Sequence, residues 1–328
     1  MTRWIGIAAL LLLAVTLALA LGVRTLSPAD IWGAIRAPDP FDPEHITFLL
    51  LRGPRLLAGL VAGAALGMAG MAMQAVTRNP LADPGILGVN AGAAFAVTLG
   101  SLLLGRGDAG ALSLLAFPGA ALASAAVFLL GGGLRGDANP VRLTLAGAAL
   151  NALLLSLVSS LVLLRGDGLE VMRFWVVGSL ADAGARPIGL MTVSAMLGAA
   201  IALGAARALE TLALGAALSR GLGTRPGHVQ LAILVAVTLL AGSAVALAGP
   251  IAFLGLVAPP LARHLVGPAL RPGLVASAML GAAILLLADT AGRLVFPPAE
   301  IRAGIMTAIL GGPVFVLIAR RLRVGAPA

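Results

Sequence analysis

Few side chains in this sequence can do acid–base, nucleophilic or metal chemistry. There are 13 carboxylates, 3 histidines and no cysteine, which rules out disulfides, thiolate nucleophiles and Cys-held zinc or iron–sulfur centres. His45, His228 and His264 fall at predicted loops or span ends, far apart in the chain, and read as surface histidines rather than a metal site. Asp289 is the one acid at the end of an apolar run and reads as an interfacial partner of Arg293, one helical turn on. An intramembrane enzyme would need facing carboxylates or a His–acid cluster at membrane depth. A proton- or sodium-coupled carrier would place a carboxylate or polar cluster near the midplane, or use unwound backbone carbonyls. The sequence offers instead Ser156, Ser159 and Ser160 in one apolar run, where they can bond to their own helix backbone. No catalytic residue and no metal ligand is expected.

The 22 basic residues are all arginine and leave a net charge of +9. Without lysine a GxxxxGK[ST] phosphate loop cannot be built, so any ATP-driven activity takes its nucleotide site from another polypeptide. The chain itself is expected to bind no cofactor. The arginines are scattered between apolar runs and form no stripe beside aromatics, which suits lipid headgroups and not nucleic acid.

These groups are carried by a chain that is 60% apolar and 11% charged over 328 residues, against roughly half and about a quarter in soluble domains. A polytopic membrane protein follows. At about 20 residues per crossing, turn and charge signals bracket ten spans, at 4–23, 55–76, 84–104, 111–133, 142–164, 187–206, 229–248, 251–266, 272–291 and 303–319. The first is read as a retained helix rather than a cleaved leader. The third and eighth are interrupted by Gly and Pro, which is tolerated at membrane depth where backbone is buried in protein or lines a cavity. Gly59, Gly63, Gly67 and Gly70 recur at helical spacing and predict close helix packing. In the polar stretch 24–44, Ser27 and Pro28 suit the cap and first position of a short extramembrane helix. An even number of spans puts both termini on one side, and the RRLR cluster at 320–323 assigns that side to the cytoplasm.

The run LRGPRLLAGLVAGAALGMAGMAMQAVTRNPLADPGILGVNAGA, residues 51–94, resembles the signature of the FecCD-type permeases. The likeness continues in FWVVGSLADA (Phe174 to Ala183), LALGAALSRGLGT (Leu212 to Thr224), GPIAFLGLVAPPLARHLVGP (Gly249 to Pro268) and LADTAGRLVFPPAEIRAGIMTAILGGPVFVLIARR (287–321). Such permeases are the membrane subunits of binding-protein-dependent ABC importers for ferric siderophores, haem and cobalamin. The resemblance implies an all-α, ten-span permease fold with an inverted repeat, one transmembrane domain over 1–328, in the inner (cytoplasmic) membrane with both termini cytoplasmic. It further implies a second permease subunit, most simply a homodimer, around a central pathway, two cytoplasmic ATPase subunits that hydrolyse the ATP, and an extracytoplasmic substrate-binding protein. A bulky iron chelate is the expected cargo, with haem and cobalamin open. The alternative of another class is a stand-alone secondary transporter.

The resemblance also assigns roles. The loop 207–227 matches the family's LxLGxxxAxxLG element, so Glu210, Leu214, Gly215, Ser219, Arg220, Leu222 and Gly223 are the expected ATPase-coupling residues; its apolar positions and glycine breaks suit two short surface helices. Without the family it reads as an amphipathic turn on lipid. The NPLA turn puts Asn79, Pro80 and Leu81 at a cytoplasmic gate, opposed by the 137–141 loop, where DANPV departs from small hydroxyl residues. Arg55 and Arg293 are placed to pair with glutamates of the binding protein, with Arg52 as a third candidate, since the guanidinium fork suits carboxylates; without the family each reads equally as an arginine snorkelling to headgroups. Two further departures are Pro259-Pro260, where the family has Pro-His, and Arg302, where it has Pro.

Overall fold

The computed structural model describes residues 2–22, 24–104, 109–132, 140–164, 176–213, 216–221, 223–297 and 299–324, and among these the apolar runs become ten helices. They are α1 (Thr2–Ala20), α2 (Gly53–Thr77), α3 (Val89–Leu104), α4 (Ala109–Leu130), α5 (Pro140–Leu164), α6 (Ile188–Ala213), α7 (Pro226–Ala248), α8 (Leu254–Val266), α9 (Leu270–Val295) and α10 (Ala303–Val324), with no strand among the described residues. Seven are long and apolar enough to cross a membrane, and the apolar parts of α3, α8 and α10 are shorter.

Hydropathy alone does not say which helices are central, because lipid-facing and buried helices are equally apolar. Packing does. The apolar stretches of α2, α7 and α9 are 72%, 67% and 67% buried, against 17% for α1 and for α5. The small residues of α2 explain its position: a Cβ on Gly67 would stand 2.0 Å from the carbonyl oxygen of Ser277 in α9, and one on Gly70 would stand 2.1 Å from that of Gly255 in α8. The glycines let backbones approach where any side chain would hold them apart.

Both interrupted spans break as their Gly and Pro content requires. A 3-10 turn at Pro84–Leu87 and Gly88, at φ 77°, precede α3. Segment 249–253 is non-helical, Phe253 has φ 66°, and α8 has only 13 residues, roughly 20 Å at 1.5 Å per residue against about 30 Å of hydrocarbon. α8 thus starts part-way along α2, where Gln74 donates to the carbonyl of Gly255 at 3.3 Å.

Ser27 does cap a helix, Pro28–Arg36, through a reciprocal box with Asp30; the backbone and hydroxyl of Ser27 hold the Asp30 carboxyl below the usual range. Two expectations need correction. The stretch before α2 is more helical than a polar loop, since Pro43–Ile46 and a π-helical segment Thr47–Arg52 run directly into α2. The 207–227 loop does not begin with a separate short helix: α6 continues to Ala213 because Leu209 and Leu212 extend its buried face, and one short helix, Ala216–Gly221, follows.

Candidate functional site

The chemistry-bearing side chains gather at the two ends of the helix bundle. At the end where α1 exits, Asp289 of α9 is 2% exposed and takes a bidentate pair from Arg55 of α2, with Nε and one terminal nitrogen both at 2.9 Å. The third nitrogen of Arg55 reaches Glu300 at 2.8 Å. Arg293 lies one turn from Asp289 at 3.4 Å and donates to the carbonyls of Leu21 and Ala18 at the end of α1. Arg52 donates to the carbonyls of Leu19, Ala20 and Arg24. Two guanidinium groups therefore satisfy the carbonyls that the end of α1 leaves without helical partners.

The reading of Asp289 is revised. Asp289 is a buried hub whose main partner is Arg55, not an interfacial acid paired with Arg293 alone. Arg293, 4% exposed, and Arg52, 6% exposed, turn inward onto the end of α1. Arg55, with its side chain 13% exposed, reaches outward to Glu300, whose side chain is 33% exposed.

At the opposite end, α2 stops at Arg78, in the left-handed conformation with φ 52° and ψ 30°. Asn79, Pro80 and Leu81 follow, all exposed, in a turn closed by the Asn79 side chain accepting from Leu81 N at 2.9 Å and the Asn79 carbonyl accepting from Ala82 N at 3.1 Å. Arg78 donates to the carbonyl of Leu212 at the end of α6. Glu210 accepts from the backbone N–H of Leu270 at 2.6 Å and so caps α9. Thr211 and Thr224 share a hydroxyl hydrogen bond of 3.0 Å across the base of the short helix. On that helix Ser219 is buried and Arg220 exposed, and Gly223 just beyond it has φ 80°. Leu214, Gly215, Leu222 and the 137–139 part of the second expected gate lie outside the described residues.

Between the ends, a cavity of about 510 Å³ is lined by Asn90, Val176, Val177, Pro250, Ala252, Gly304, Ile305, Ala308 and Ile309. It lies among the start of α3, the 249–253 segment before α8 and the start of α10, and its wall is mainly apolar. Sequence reasoning flagged the interruptions but not Asn90, Glu300 or the Arg78 contact. The serines of α5 behave as expected, with Ser159 and Ser160 donating to Leu155 and Ser156 carbonyls at 2.9 and 3.0 Å.

Residues 10–321 match the FecCD transport family. The ferric enterobactin transport system permease protein FepD of Escherichia coli (strain K12) is 43% identical over 316 residues, covering 96% of this chain and 94% of that protein. The iron(3+)-hydroxamate import system permease protein FhuB of Bacillus subtilis (strain 168) is 37% identical over 316 residues, covering 96% of this chain and 82% of that protein. A solved ABC transporter described as of metal-chelate type, in an inward-facing conformation, superposes with a TM-score of 0.83 at 28% identity, covering 97% of this chain and 98% of that one.

Proposed function

The chain belongs to the FecCD transport family, and on that premise we propose that it is the membrane permease subunit of an ATP-driven importer whose cargo is a ferric siderophore. The observation that carries this reading is the weakly polar cavity bounded by broken helices. A bulky chelate handed over by a partner needs room and an irregular, protein-lined wall more than it needs a tight polar cage.

A second permease copy faces the cavity and completes the pathway. The end where α2 exits, with both termini, faces the cytoplasm, and the membrane is the inner one. Two ATPase subunits engage the helix Ala216–Gly221 and its flanks, including Glu210, Ser219, Arg220 and Gly223; this chain supplies no lysine for a phosphate loop. A substrate-loaded binding protein docks at the other end through the edge formed by Arg55 and Glu300, while Arg293 supports that edge from within by its contact with Asp289. Closure of the ATPases is transmitted as shear between packed helices, and Asn79, Pro80 and Leu81 form the inner gate.

The test is reconstitution of the chain with a candidate ATPase and binding protein, followed by uptake of a labelled ferric siderophore with and without ATP. ATP-dependent uptake is expected. Uptake that follows an ion gradient and needs no ATPase would overturn the reading in favour of a secondary carrier.

A further inference from the structure

The gate turn and the coupling helix are far apart in sequence, yet one side chain joins them. α2 ends in Arg78, whose φ of 52° is a conformation that residues with a side chain rarely adopt. That residue reverses the chain, and its guanidinium donates to the carbonyl of Leu212, in the last turn of α6. On one side of this bond, Asn79 follows directly and binds Leu81 N and Ala82 N with its side-chain and main-chain oxygens, so the turn is a small closed unit rooted at Arg78.

On the other side, Leu212 lies at the base of the coupling helix. Thr211 is clasped to Thr224 at 3.0 Å, and the N–H of Thr224 donates to Ser219 at 2.9 Å, so the helix Ala216–Gly221 is closed at its root. Glu210 fixes the same turn of α6 to the start of α9 through Leu270. Displacement of the surface helix is therefore passed to Leu212, and from Leu212 to the residue from which the gate turn hangs.

From this chain of contacts we infer that Arg78 is a positioning residue that ties the gate turn to the coupling helix, so that the gate moves when the helix is moved. The inference rests on the coupling and gate roles proposed above. Arginine suits the task because its planar fork can hold a carbonyl through any of several donors as the geometry changes. A cap on α6 alone would not require that the donor come from the residue next to Asn79.

The test uses the assembled importer in proteoliposomes and reads the ATP hydrolysed per labelled ferric siderophore imported. In Arg78→Gln, hydrolysis stimulated by the loaded binding protein should stay within about twofold, while uptake falls about tenfold, the scale of losing one charge-assisted hydrogen bond from the moving state. Arg78→Lys keeps a single cationic donor and should restore most of the uptake. Uptake and hydrolysis falling by the same factor without rescue by lysine, or uptake left unchanged, overturns the inference. Should Arg78→Gln not assemble, Thr224→Val loosens the same linkage from the other side: a raised ATP cost per cargo supports the tie and an unchanged one overturns it. Gly223→Pro serves as the separate control. It should abolish both uptake and hydrolysis, and normal uptake there would refute the coupling role itself, whatever Arg78 does.

Discussion

The two ends of α2 are held in opposite ways. At one end Arg55 gives two parallel hydrogen bonds to a buried carboxylate and a third to Glu300, and two more arginines close the neighbouring end of α1. At the other end Arg78 is exposed and holds a backbone carbonyl, and the turn beyond it is closed by its own short-range bonds. Breaking a buried ion pair leaves an uncompensated charge in low dielectric, whereas a carbonyl released near water is solvated again. The first end is built to stay and the second to move. An importer that must present a fixed platform to one partner and a yielding gate to another needs that asymmetry along its central helix.

The sharpest way to break this comparison is Asp289→Asn, which strands Arg55 and Arg293 without their shared carboxylate. A loss of about 3–5 kcal/mol is expected, read as a lower thermal unfolding midpoint of the solubilised protein. An unchanged midpoint would mean that this end is not locked by charge. Gly67→Ala comes next. Its Cβ would meet the Ser277 carbonyl at 2.0 Å, so α2 and α9 must part at a cost of about 1–3 kcal/mol, and full retention of stability would show that the seam can slide.

At the yielding end, Gly223→Ala forces a side chain into φ 80° with open space around it. The strain is about 1 kcal/mol and should surface as faster hydrogen exchange in the coupling helix with little change in the global midpoint. A global loss equal to that of Gly67→Ala would make this end part of the rigid frame. Glu300→Gln should be mildest, within about 1 kcal/mol in the unfolding midpoint because that carboxylate is part-exposed. A fall as large as that of Asp289→Asn would place Glu300 inside the lock.

Much of the fold was legible because a bilayer demands long apolar helices, and the run lengths state them directly. The ten brackets correspond to ten helices, the Ser27 box forms as its residues imply, and the interruptions before α3 and α8 fall where Pro84, Gly85 and Gly249 require. Less was legible at the sites. Arg55 and Arg293 look alike in sequence, each an arginine at a span end, yet one reaches Glu300 near the surface while the other is buried against α1. Nothing local distinguishes them, because the distinction is made by the end of α1 and by Glu300, each remote in the chain from the arginine it meets. Likewise Arg78 carries no sign of Leu212, 134 residues on.

Composition and periodicity, then, already determined that this is a multi-span helical protein with no nucleotide loop, no thiol chemistry and small-residue seams, since the absence of lysine and cysteine and the length of apolar runs hold in any fold. Which seam is the core, which arginine faces inward, and which carbonyl each guanidinium finds were decided only by tertiary structure. The pairing of charged groups depends on distances between helices, and those distances are set by the glycines that let α2 sink against α9 and α8.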